Sequence, residues 1–167
     1  MKRRKFIQNA SLSTLGIAVG SSVFASQKNI SFSTTEEKPL QNSAENLPVV
    51  IATWNVNEST KEAWRILQEG KSALDAVEKG CNIEEANAEG QSVGIGGLPD
   101  RDGNVTLDAC IMNKDGDYGA VVYLQNFMHP ISVARKVMED TPHVILAGKG
   151  AEQFAISKGF EPVDLLT

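Results

Sequence analysis

Few residues in this chain have the type and spacing to do chemistry. Asp108 stands out, a single carboxylate inside the apolar run VTLDACIM. A lone buried carboxylate is costly unless hydrogen-bonded, so Asp108 is expected to brace a neighbouring loop, with catalysis as the second reading. Asp100, Arg101 and Asp102 cluster in PDRDG, which reads as a solvated turn holding an ion pair of little energetic weight. His129 and His143 are far apart, and neither has a second ligand at helical spacing, so no metal is expected. His129 precedes Pro130 and reads as a helix-start residue; His143 precedes a strand. Cys81 and Cys110 read as small buried hydrophobes, with a disulfide as the lesser alternative. The stretch GIGGLPD lacks both Gly-Lys-Ser/Thr and the G-x-G-x-x-G spacing, and a strand follows it, which argues against nucleotide binding. Its glycines are expected to let a turn lie close against another segment. No Ser-His-Asp or Cys-His arrangement can be built. What remains is Trp54, with Asn55 beside it, delivered to a loop by the apolar run Val49–Ala52.

The elements that must position these residues follow from pattern. A strand is predicted over Val49–Trp54. Ser59 and Glu62 have capping-box spacing at the start of a first helix closed by Gly70, with Trp64 expected in its core face. Ser72 and Asp75 cap a second helix, on which Leu74, Val77 and Cys81 recur at helical spacing. After a glycine-rich loop, Val105, Leu107, Ala109 and Ile111 share one strand face, NKDGD is a hairpin turn, and YGAVVYL returns as a central strand. Pro130 opens a helix with Ile131, Ala134, Val137 and Met138 on one stripe. HVILAG is a short strand, and AEQFAISKG a last helix ended by Gly159. The near-continuous apolar strands imply helices and a sheet covered on both faces.

The first 25 residues read as an export signal: Lys2, Arg3, Arg4 and Lys5, then a mildly apolar stretch, then Val23-Phe24-Ala25 as a peptidase site. Arg3-Arg4 followed by Phe6-Ile7 is the twin-arginine form, which implies a periplasmic destination. Residues 26–47 are polar and aperiodic and read as a flexible leader, leaving residues 48–167 for one small domain. Loss of those four positive charges takes the net charge from −5 to −9, and no basic patch remains, so nucleic acid is not an expected partner.

From about Val49 to Thr167 the segments TWN, EAW, SALDAVEKGC, SVGIGGLPDRDGNVTLDACIM, HPISVARKVMEDTPHVILAG and GF…DLLT occur in order. Together they resemble the glycosylasparaginase family. The resemblance implies an α+β fold, the αββα sandwich of N-terminal nucleophile hydrolases, present here as its N-terminal half. It implies a precursor that cuts itself between an Asp and a Thr. The freed Thr attacks through its hydroxyl, with its own α-amino group, of pKa about 8, as base. An oxyanion hole would stabilise the tetrahedral intermediate. The bond cleaved joins an asparagine side chain to N-acetylglucosamine, and no cofactor is implied. Trp54 corresponds to the family's pocket-lining tryptophan, with Asn55 a weaker substrate-binding candidate. The chain ends before the family's His-Asp-Thr, so Thr167 does not correspond to the nucleophile. The resemblance therefore implies a β-subunit partner carrying that Thr, an (αβ)2 assembly, a glycoasparagine substrate, and an α-part inactive alone. Two other readings stay open: an asparaginase or isoaspartyl-peptidase relative, and a non-catalytic exported fragment.

Overall fold

The computed structural model describes residues 47–167, so the predicted export signal and nearly all of the predicted leader lie outside the described residues. The first helix, α1, spans Asn57–Gln68 and begins after Val56 without a side-chain cap. The expected Ser59–Glu62 capping box does not form. Ser59 lies inside the first turn, buried, and its hydroxyl donates to Glu84 Oε1 at 3.3 Å. Glu62 instead holds Arg65, at 2.6 and 2.7 Å. Helix α1 ends as predicted at Gly70 (φ +75°), whose N–H donates to the Leu67 carbonyl while Lys71 N–H donates to Ile66, the paired bonds of a Schellman motif.

Helix α2, Ala73–Glu85, starts two residues later. Its capping box is as read from sequence: Asp75 N–H donates to Ser72 Oγ at 3.1 Å, and Ser72 N–H donates to Asp75 Oδ2 at 3.2 Å. The Ser72 hydroxyl, and next the Arg135 guanidinium, hold the Asp75 carboxyl pKa at about 2. Helices α1 and α2 pack closely through Ala63, Ile66, Ala76 and Gly80, where an added Cβ would lie 2.9 Å from the Ser59 carbonyl oxygen. The buried face of α2 is thus Ala76, Gly80 and Glu85, one step out of phase with the predicted stripe; Val77 and Cys81 are exposed and Leu74 only partly buried. Trp64, expected in the core, is likewise exposed, because α1 meets α2 through small residues on its other side.

Three strands follow: β1 (Leu107–Met112), β2 (Tyr118–Leu124) and β3 (Ile145–Ala147). The β1–β2 hairpin is antiparallel, β3 runs parallel to β2, and β2 is central as predicted. Asn113 fastens the hairpin turn by accepting the N–H groups of Asp115 and Asp117. Helix α3, Pro130–Asp140, crosses one sheet face, and α4, Gly148–Ser157, packs beside it. Gly119 is the contact point: a Cβ there would sit 2.2 Å from the Ala134 carbonyl oxygen. Val121, Leu124, Val133, Ala134 and Val137 are wholly inaccessible and form the main core. Each of the larger ones contributes roughly 1.5–3 kcal/mol by burial. Arg135 ties α3 to α2 by donating to Asp75 and Glu78, both at 2.7 Å.

Two expectations fail here. The strand predicted over Val49–Trp54 does not form; Val49 and Ile51 are exposed, Ile51 at 84%. No described strand pairs with this segment, and an apolar run without a ladder partner is not a strand. Among the described residues the sheet is also covered on one face only. Met112, Tyr118, Val122 and Ile145 stand exposed on the other.

Candidate functional site

The open side of β1, helix α2 and the segment before α1 enclose a cleft of about 500 Å³. Its walls are mostly apolar. Trp54 is one of them, 65% exposed, where tryptophans are usually covered. Asn55 is exposed and is not among the lining residues. Thr53 and Ser92 add hydroxyls that nothing in the sequence pattern marks out.

Helix α2 and the glycine loop are joined at the base of the cleft by Glu85, only 4% exposed. Its Oε1 accepts the Ile131 N–H at 2.9 Å, and its Oε2 accepts Asn82 Nδ2 at 3.0 Å and faces His129 Nδ1 at 3.1 Å. His129 is the helix-start residue predicted, yet makes no side-chain cap of its own; the cap of α3 arrives from another helix. A carboxylate in the last turn of α2 opposes that helix's dipole, but the same carboxylate meets the positive end of α3. Glu84-Glu85 at a helix C-terminus was the available signal, since acidic residues are misplaced there unless a partner lies elsewhere. The carbonyl of Glu85 is used as well, accepting Ile95 N–H at 2.9 Å. The glycines of GIGGLPD thus do lie close against another segment, as expected: Gly94 and Gly96 (φ +63° and +79°) crowd the backbones of Glu85 and Ala88.

Asp108 is exposed on the cleft wall, which corrects the expectation of a buried carboxylate. The bracing role is present: Oδ1 accepts the Tyr123 N–H at 2.8 Å. The pairing shifts between Leu107↔Leu124 and Ala109↔Val121, so Val122 and Tyr123 oppose Asp108 in a bulge, with Tyr123 at φ +55°. Cys81 and Cys110 are free thiols, both exposed and both in the cleft wall, contrary to their expected burial. Desolvation, and then the Glu85 carboxylate, raise the Cys81 thiol above its ordinary value, the opposite of nucleophile activation. The Asp100 turn is as predicted. Its carboxylate accepts the N–H groups of Asn104 and Asp102, which lowers its pKa, and the Arg101–Asp102 pair at 3.5 Å is solvated. His143 lies exposed ahead of β3, its N–H donating to Thr141 Oγ1. No group of three potential metal ligands occurs among the described residues.

A mixed helix–sheet layer with one sheet face bare, and a tryptophan-walled cleft on that side, define an α+β chain of incomplete layering. Residues 36–167 match the asparaginase family, and the chain belongs to it. More particularly, it is 46% identical over 166 residues to the N(4)-(beta-N-acetylglucosaminyl)-L-asparaginase of Elizabethkingia miricola, covering 99% of this chain and 46% of that protein. It is 48% identical over 130 residues to the rat protein of the same name (77% of this chain, 38% of that one). The mouse protein is 45% identical over 130 residues, with the same coverage. The chain thus spans less than half the length of these relatives.

Proposed function

We propose that this chain is the α-part of a glycosylasparaginase, an amidohydrolase that cleaves the amide between N-acetylglucosamine and an asparagine side chain. The observation that carries this reading is Trp54, 65% exposed on a cleft whose far wall is the outer strand β1 of a sheet with one uncovered face. In the proposed αββα sandwich a second sheet covers that face, supplied by the polypeptide that also bears the self-cleaving Asp-Thr junction. The nucleophile is the freed Thr of that polypeptide, outside this chain. Its α-amino group takes the hydroxyl proton and passes it to the amide nitrogen, so that the C–N bond breaks and the glycosylamine leaves an aspartyl ester on the Thr. A water then hydrolyses that ester, releasing aspartate and restoring the hydroxyl. This chain contributes the apolar wall that orients the substrate and excludes water from it. Two such αβ pairs form the assembly.

The test is release of aspartate and of the N-acetylglucosaminyl amine, which hydrolyses onward to N-acetylglucosamine and ammonia, from β-N-acetylglucosaminyl-asparagine. The chain alone is expected to release none, and the completed enzyme to turn over. Trp54→Ala in the completed enzyme is expected to lower kcat/KM by about 30-fold or more, with little change in Tm, because the ring is largely solvent-facing. A completed enzyme that ignores the glycoasparagine but cleaves asparagine or β-aspartyl dipeptides would establish the asparaginase or isoaspartyl-peptidase alternative, which the family match also accommodates.

The same proposal places the enzyme in the periplasm, exported through Arg3-Arg4 and cleaved near Ala25. Arg3→Lys with Arg4→Lys is expected to strand the protein in the cytoplasm on fractionation; unchanged export would remove this part of the proposal.

A further inference from the structure

We propose that Asp108 is a substrate-binding residue, whose second carboxylate oxygen receives an amide or ammonium N–H of the substrate; this rests on the amidohydrolase reading above. Three carboxylates reach the cleft. Glu85 is spent capping helix α3, and Glu84 accepts the Ser59 hydroxyl through Oε1 at 3.3 Å. Asp108 stands on β1 itself and is held by a shorter bond from the backbone. Its Oδ1 is fixed by the Tyr123 N–H at 2.8 Å, and Oδ2 has no hydrogen-bond partner among the described residues. No Lys or Arg lines the cleft, and none pairs with Asp108 among the described residues. A carboxylate with one oxygen anchored and the other free, projecting from an otherwise apolar face of β1, is preorganised to accept a donor. Its charge selects N–H groups and ammonium over carboxylates or ester oxygens. The bulge at Val122–Tyr123 makes this possible, since it frees the N–H that fixes the rotamer.

The alternative is that Asp108 only braces the bulge, and Asp108→Asn separates the two. The amide oxygen of Asn can still accept from Tyr123, while its NH2 replaces the free acceptor with a donor. In the completed enzyme this variant is expected to raise KM for glycoasparagine about 10-fold or more, with kcat within about 3-fold and Tm unmoved within about 2 °C. Asp108→Ala is expected to raise KM similarly and lower Tm as well. A wild-type KM in Asp108→Asn overturns the inference. Should the completed wild-type enzyme hydrolyse no amide, the functional reading fails separately, and calorimetric titration with L-asparagine decides about Asp108. Binding by wild type that is lost in Asp108→Asn supports it; equal binding, or none in either, overturns it.

Discussion

Replacing Gly94 by alanine is expected to destabilise the protein by about 3–5 kcal/mol. Two costs coincide at this position. The backbone is left-handed, at φ +63°, which an L side chain adopts only with strain. The new Cβ would also lie 1.8 Å from the Glu85 carbonyl oxygen and 2.4 Å from its carbonyl carbon. Those atoms belong to the end of helix α2, and Ile95 N–H already donates to the same carbonyl at 2.9 Å, so the helix end cannot move aside without losing that bond. Gly103 and Gly116 are the controls. Both have φ near +85° with open space around them, so alanine there should cost only about 1 kcal/mol. Urea unfolding of the three variants measures the difference. A Gly94→Ala loss no larger than that of Gly103→Ala would show that the close approach is not what this glycine is for.

Glu85→Ala is expected to cost about 3 kcal/mol, by removing one charged acceptor from three groups at once. Ile131 N–H would be left unsatisfied at the start of α3, and Asn82 and His129 would lose their partner. Glu85→Gln is expected to lose less than half of that, since one oxygen remains to accept from Ile131. The same unfolding measurement reads both. An alanine variant within about 1 kcal/mol of wild type would contradict the capping role. Because this carboxylate joins α2 to α3 at the floor of the cleft, its loss should also loosen the wall that faces Trp54.

How much of the fold and site is legible in the sequence depends on how local each feature is. Ser72–Asp75, the Asn113 turn, Pro130 and Gly70 are legible because each satisfies its backbone within a few residues. The alternation through Val105, Leu107 and Ile111 is legible because one face of β1 is buried, which fixes the phase. The phase of α2 is not. Its partner contacts are Ala76 and Gly80, small residues chosen for close approach, while the larger Val77 points into the cleft. The strand predicted at Val49–Trp54 fails for a different reason, since pairing is non-local and neither outer strand of the β1-β2-β3 sheet pairs with it. The failed Ser59 cap has a tertiary cause too: the hydroxyl is turned to Glu84, 25 residues on. At the site, the pattern places Trp54 in a loop and only the family resemblance assigns it to a pocket; it lines the cleft, while Asn55 does not. Asp108 is legible as an unusual carboxylate, but with the wrong burial. Glu85 escapes the sequence because two of its three partners, Ile131 and His129, lie across the fold.

In the proposed enzyme, the bare side of the sheet and the Trp54 cleft are where a second polypeptide completes the site. The two cysteines are the only ones in the chain, and both stand in that cleft wall. Their alkylation rates, with Cys110 on β1 read separately by peptide mapping, give the most direct measurement. In the chain alone Cys110 should react freely, ahead of Cys81, whose raised thiol pKa slows it; in the completed enzyme Cys110 should slow by about 10-fold or more as a second sheet covers β1. Equal Cys110 rates in the two states would mean that this face stays open in the assembled enzyme, and the claim would fall.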